Sequence, residues 1–147
     1  EEKMMIPLSK DAKYEYKHPV SGIVYLLKYV TDAERIEFQK EQKKVLECSS
    51  KLAKLAKTIE NLSDDEKESL PQELLDDIQK AENDLYEHQK WIIDYFITGW
   101  KHDTIQLPEF NMKPSTAFKI NEIPVLAKEI QSLIPVLTGL SVEDAKN

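Results

Sequence analysis

Cys48 and His88 are the two residues of this chain whose types could make a nucleophile and its base. A thiolate is activated by a neighbouring imidazole, so a Cys facing a His would suit covalent catalysis. Both residues lie on apolar seams. Val45, Cys48, Leu52, Leu55, Ile59 and Leu62 follow one another in steps of 3, 4, 3, 4 and 3. Leu74, Ile78, Ala81, Leu85, His88, Ile92 and Tyr95 follow in steps of 4, 3, 4, 3, 4 and 3. This is the spacing of a coiled-coil seam. If Leu62 meets Leu74 and Ile59 meets Ile78, Cys48 comes opposite His88. A small, hydrophobe-like Cys in a core seam is the competing reading. Nothing near either residue offers an oxyanion hole, because mid-helix amides are already used, and the seam reading outweighs a thiol enzyme.

The other candidates carry less. Asp64, Asp65, Glu66, Asp76 and Asp77 lack the alternating ligands and the tight-turn glycine of a calcium loop, so they read as a solvated acidic face. His18 and His102 stand near turns without metal-ligand spacing. The single cysteine excludes an internal disulfide and a cysteine-built zinc site. Three glycines cannot form a phosphate cradle, and no dinucleotide fingerprint, zincin helix or nucleophile elbow is present. The sequence therefore predicts no catalytic residue, no metal site and no cofactor.

The elements that must position these residues are mostly helical. The chain has 147 residues, of which 41% are hydrophobic and 32% charged, with a net charge of −7. That suits one domain with a core and argues against disorder. No apolar run approaches a membrane span, and the acidic balance argues against nucleic acid. The charged start, Glu1-Glu2-Lys3, gives no sign of a signal peptide, so a cytoplasmic protein is expected. Residues 12–17 alternate in the strand manner, and residues 23–30 are β-branched and aromatic. His18-Pro19-Val20-Ser21-Gly22 between them reads as a turn. Thr31-Asp32-Ala33-Glu34 and Ser63-Asp64-Asp65-Glu66 are capping-box signals. The stretch 40–57 carries six lysines and two acids, and 64–87 carries ten acids and two lysines. A basic helix is thus expected to fold back against an acidic one. Thr98-Gly99 reads as a helix breaker. A last helix is expected from about Pro124 to Leu137, with Pro135 ending or kinking it, and Ser141 gives a weak final cap.

The predicted fold is mainly α (α+β) in a single domain, 1–147. Its parts are a β-hairpin at 1–30, an antiparallel helical hairpin at 31–97, a loop at 98–119, and a C-terminal helix and tail at 120–147. Large aromatics anchor interfaces. The candidate partner surface is Trp91, Tyr95, Phe96, Trp100 and Phe110, with Leu126, Ile130 and Leu133 from the apolar face of the last helix.

Four stretches, in order, resemble the tail assembly chaperones of bacteriophages, small proteins encoded beside the tape-measure gene. Ile6-Pro7-Leu8-Ser9-Lys10-Asp11-Ala12 followed by Tyr14-Glu15-Tyr16 is similar to their opening segment. Leu26-Leu27-Lys28-Tyr29-Val30-Thr31-Asp32-Ala33-Glu34-Arg35 is similar to their strand running into a capped helix. Gly99-Trp100 and Leu107-Pro108-Glu109-Phe110 resemble their Trp-containing middle, with His102-Asp103-Thr104 where a glycine turn is usual. Leu140-Ser141 through Ala145-Lys146-Asn147 is similar to their acidic tail. The resemblance covers about half the chain and leaves out the charged hairpin at 40–90. It implies a helical, self-associating protein of the host-cell cytoplasm. Its implied partners are the tape-measure protein and, as a further candidate, the tail-tube protein. Such chaperones are often made in short and frameshifted forms. Ala145-Lys146-Asn147 can be encoded with a slippery run, so this chain is expected to be the short product. Two other readings stand beside this one: a structural or adaptor protein assembling through the helical hairpin, and a thiol enzyme using Cys48 and His88.

Overall fold

A computed structural model describes residues 12–139. The expected motifs at 6–11 and at 140–147, including the Ser141 cap, lie outside the described residues. The chain is mainly α with a small antiparallel sheet. The chain forms two compact units. The first comprises residues 1–31 and 91–147, the second 32–90.

In the first unit, β1 (Lys13–Lys17) and β2 (Val24–Lys28) form the expected hairpin, with Tyr14 paired to Leu27 and Tyr16 to Tyr25. Tyr25 and Leu27 point into the core, as period-2 alternation dictates. The turn is closed by the His18 amide donating to the Ile23 carbonyl at 2.8 Å and the Gly22 amide donating to the His18 carbonyl at 3.0 Å. Gly22 sits at φ +75°, a conformation that glycine adopts without a Cβ penalty.

The expected loop at 98–119 is corrected at its start. Ile97–Lys101 forms a third strand, β3, antiparallel to β2, with Tyr25 opposite Trp100 and Leu26 opposite Gly99. Gly99 does not break the chain into a loop. It lies against Leu26, whose Cδ1 would be 3.2 Å from a Cβ there, and the register shifts at the adjacent Leu26/Leu27 step. A strand glycine beside a bulge has this role. Thr98 donates its hydroxyl to the Leu26 carbonyl at 3.0 Å. The third strand relieves the marginal stability of an isolated hairpin.

The C-terminal helix forms in two pieces, α4 (Ile123–Gln131) and α5 (Ile134–Leu137). Pro124 and Pro135 each occupy a first-turn position, so Pro135 ends one helix and opens the next. The Val30 amide donates to the Leu137 carbonyl at 2.8 Å and ties β2 to α5. The core of this unit is Tyr25, Leu27, Ile92, Ile93, Phe96, Ile97, Ile123, Leu126, Ala127, Ile130 and Leu137.

The second unit is built from α1 (Arg35–Glu60), the short α2 (Asp64–Glu68) and the first three-quarters of α3 (Gln72–Phe96). A 3₁₀ turn at Asp32–Glu34 precedes α1, so Glu34, not Thr31, stands at the N-cap. The Ser63 capping box forms as expected. The Glu66 amide donates to Ser63 Oγ at 3.2 Å, and the Ser63 amide donates to Glu66 Oε1 at 2.9 Å. The hydrogen bonds from Ser63, its backbone first, hold the Glu66 carboxyl below the usual carboxylate range. The seam residues of α1 are all half-buried, as a two-helix hairpin leaves them, while Ala81 and His88 of α3 are buried. Among the described residues, no ion pair joins an α1 lysine to an α3 carboxylate. The lysines of this unit pair instead within their own helix, as in Lys44–Glu41 and Lys80–Asp84.

His88 Nδ1 lies 3.9 Å from Glu41 Oε1. This places it two turns of α1 before Cys48, and the expected Cys48–His88 opposition is corrected accordingly. The five-residue α2 occupies the connector, and Leu62 and Leu74 still line one shallow surface there, so the departure from the seam register lies further along the helices. Burial pushes the His88 imidazole below its ordinary value of 6.5, with Lys44 acting in the same direction and Glu41 against it. A depressed pKa favours the fold above the unfolded value, and that contribution is lost as pH falls from about 6.5. His88→Leu is therefore expected to flatten the acid slope of thermal stability between about pH 7 and pH 5. An unchanged slope in circular-dichroism melts would contradict this assignment.

Candidate functional site

The first unit carries the site. The β2–β3 register sets Tyr25 beside Trp100, edge-on at 6.5 Å between ring centroids. Phe118 completes the group, 6.2 Å from Tyr25 and 5.9 Å from Trp100. The Trp100 indole donates its N–H to the Pro108 carbonyl at 2.8 Å, and Phe110 packs edge-on against its ring at 4.9 Å. These contacts fix the indole and hold the 107–110 segment to the sheet.

Phe118 is placed by the 3₁₀ turn at Pro114–Ala117. That turn is anchored to the end of α3 by Asp94, which accepts from the Ser115 amide at 2.8 Å and from the Ser115 hydroxyl at 2.9 Å. Ser115 is buried and so satisfied. The first turn of α4 brings in Glu122, Val125 and Leu126. Glu122 Oε1 accepts from the Lys119 amide at 2.7 Å, which orients its carboxylate.

Between these walls lies a cleft of about 400 Å³, lined by Tyr25, Trp100, Leu107, Phe118, Val125 and Leu126, with His18, Ser21, Asn121 and Glu122 among its polar residues. This is within the size range of ligand pockets. Two histidines hold its rim. His18 Nδ1 accepts from the amides of Val20 and Ser21, each at 3.2 Å. Its Nε2 lies 3.2 Å from Glu129 Oε1. His102 Nδ1 accepts from the amides of Thr104 and Ile105, each at 3.0 Å, and its Nε2 donates to the Ser21 carbonyl at 3.3 Å.

A serine, a histidine and a glutamate thus come together as Ser21, His18 and Glu129. The arrangement lacks the geometry of a hydrolytic triad. The nitrogen that would take the serine proton, Nδ1, already accepts two amides, and Ser21 Oγ accepts from the Ile23 amide at 3.2 Å.

Burial pushes the Tyr25 phenol up to about 12, with Glu122 and then Glu129 adding to the shift. Burial and the hydrogen-bonded Glu129 likewise raise Tyr16. An unfolded Tyr25 ionises near 10, while the folded one keeps its proton to about 12. Its contribution to stability is whole below pH 10 and is lost as pH rises through that window. Tyr25→Phe is expected to remove about 1–2 kcal/mol of that alkaline loss, the figure being discounted for solvent screening. Urea midpoints at pH 9 and pH 11, compared with the unsubstituted protein, would show it. Parallel slopes would contradict it.

The structure divides the expected partner surface. Trp100 and Leu126 line the cleft, and Phe110 backs Trp100. Trp91 and Tyr95 stack at 4.6 Å in a separate cluster, with the Lys28 ammonium 4.4 Å over the Tyr95 ring. Leu133 is half-buried. Phe96 and Ile130 are removed from the surface: both are wholly buried in the core. Sequence reasoning missed Tyr25, Phe118, Val125 and Glu122, as well as the turn-capping roles of His18 and His102. Pairing of β3 on β2 is what brings Tyr25 to Trp100, and no local pattern announces it. Among the described residues, no group of three His, Cys, Asp or Glu side chains converges for a metal, and no helix is long and apolar enough to cross a membrane.

Comparison with known proteins finds no matching family model, no similar curated protein and no similar solved structure.

Proposed function

We propose that the protein is a non-enzymatic tail assembly chaperone that self-associates and binds the tape-measure protein in the host-cell cytoplasm, with the cleft of the first unit as the place where it holds another chain. The observation that carries this reading is an open, aromatic-lined cleft without a catalytic geometry beside it. Exposed apolar residues of the same unit support it: Ile105, Met112, Ile120, Val125 and Val136 are all exposed. Of these, Val125 lies on the cleft itself and extends its apolar wall to the surface. An acidic net charge of −7 suits a protein that keeps apolar partners dispersed.

Co-expression with the tape-measure protein tests it. The expected outcome is a larger soluble tape-measure fraction that co-purifies with the chain, reduced by Phe118→Ala. An unchanged soluble fraction would contradict chaperone activity.

The adaptor reading keeps one observation in its favour. Leu46 is exposed on α1, with Lys43, Lys51 and Lys54 around the same shallow surface. A hairpin adaptor would lose its assembly on Leu46→Glu while leaving tape-measure solubility untouched.

A further inference from the structure

We propose that the Tyr25–Trp100–Phe118 cleft receives a cationic side chain, a lysine or arginine borne by an apolar segment of the partner, with the Glu122 carboxylate as its counter-charge. This rests on the reading of the cleft as a site for another chain and names the chemistry that the site selects.

The rings supply the first half of the case. Three aromatic side chains stand within 6.5 Å of one another at the cleft. The indole N–H is spent on the Pro108 carbonyl, so Trp100 lines the cleft as a ring without a free donor. Aromatic groups of this kind attract ammonium and guanidinium groups through their quadrupole, most strongly where water is excluded. The fold already makes such a contact elsewhere, with the Lys28 ammonium over Tyr95.

Charge supplies the second half. Among the described lining residues there is no lysine or arginine, and Glu122 is the carboxylate on the wall. Beside burial, the charges of Glu122 and then Glu129 help to hold the proton on the Tyr25 phenol, in keeping with a carboxylate on the cleft wall. Glu129 does not line the cleft and stands beside His18 and Tyr16, which leaves Glu122 as the carboxylate facing an incoming charge. An anionic ligand would meet the Glu122 carboxylate. A purely apolar side chain would cover the Glu122 carboxylate and leave it only the Lys119 amide as a partner, a cost that a cation reduces. The stem of a lysine or arginine matches the apolar wall while its head stays at the carboxylate.

The test uses the full chain, labelled with ¹⁵N, and the peptide acetyl-Ala-Leu-Lys-Leu-Ala-amide. The Trp100 indole N–H resonance should shift on titration, with weaker binding at higher salt. The analogue with acetyl-lysine, equal in length but neutral, should bind at least about tenfold more weakly. Glu122→Gln keeps the acceptor for the Lys119 amide. It should weaken the lysine peptide several-fold and leave the acetyl-lysine peptide and the melting temperature unchanged. Equal affinity for the two peptides, or no effect of Glu122→Gln, would overturn the inference and leave a neutral apolar cleft that still serves a partner. A lysine peptide that at millimolar concentration shifts only resonances of the acidic α3 face would also overturn it, since general acidity would then explain the attraction. The co-expression result is separate. If tape-measure solubility rises while the lysine discrimination is absent, this inference alone falls.

Discussion

Phe96→Ala is expected to destabilise the first unit by about 3–5 kcal/mol, the cost of emptying a buried aromatic site. Phe96 is the last residue of α3, with no exposed surface, and Ile97 after it opens β3. Its ring meets Tyr95 edge-on at 5.0 Å. The site sits where helix becomes strand without a loop, so the surrounding backbone is held from both sides and has little freedom to collapse into the void. Typical domains have about 5–15 kcal/mol in total, so the variant should approach the limit of folding at ambient temperature. Urea denaturation followed by far-ultraviolet circular dichroism would measure it. Leu46→Ala, at an exposed position, serves as the control and should move the midpoint by less than about 0.5 kcal/mol. A Phe96→Ala loss no greater than the control's would contradict its place in the core.

Asp94→Ala carries the second large effect. One partly buried carboxylate accepts both the amide and the hydroxyl of Ser115, and hydrogen bonds to a charged group are worth about 1.5–3 kcal/mol each. Removing it leaves a buried amide and hydroxyl without that acceptor, so a loss of about 2–4 kcal/mol is expected. The consequence reaches the cleft, because the anchored turn is what sets Phe118 against Tyr25 and Trp100. Below its melting temperature the variant should therefore still fold but lose the peptide-induced shift of the Trp100 indole. Asp94→Asn, which keeps one acceptor oxygen, should fall between the two. A fully stable Asp94→Ala with an intact shift would show that the turn is positioned by something else.

Much of the scaffold is legible in the sequence because it depends on local pattern. Alternation and the His18–Gly22 turn give the hairpin. The 3–4 spacing of Val45 to Leu62 gives α1 its half-buried face, and Pro135 gives the break between α4 and α5. The Ser63 box is read correctly because its two hydrogen bonds close within four residues. What stays hidden depends on contacts between distant segments. Thr98-Gly99 reads as a helix breaker, and α3 does end at Phe96, but the strand that follows shows only once Leu26 is seen lying against Gly99. The Cys48–His88 opposition fails because His88 lies against Glu41, two turns away, and heptad spacing alone does not fix which turn of one helix meets which turn of the other. The cleft draws Tyr25 from β2, Trp100 from β3 and Phe118 from a turn held by Asp94, so its members are scattered over more than ninety residues of chain. Phe96 and Ile130 show the converse error: a residue apolar enough to anchor a partner is also apolar enough to be taken into the core, and only the packing decides.

Site-specific photo-crosslinking during co-expression with the tape-measure protein tests the central claim most directly. A photoreactive phenylalanine at Val125, an exposed position on the wall of the cleft, is compared with the same residue at Leu46 on α1. The chaperone account predicts a tape-measure adduct from position 125, abolished by Phe118→Ala, and none from position 46. An adduct from position 46 with none from position 125 would contradict it and move the interaction to the helical hairpin.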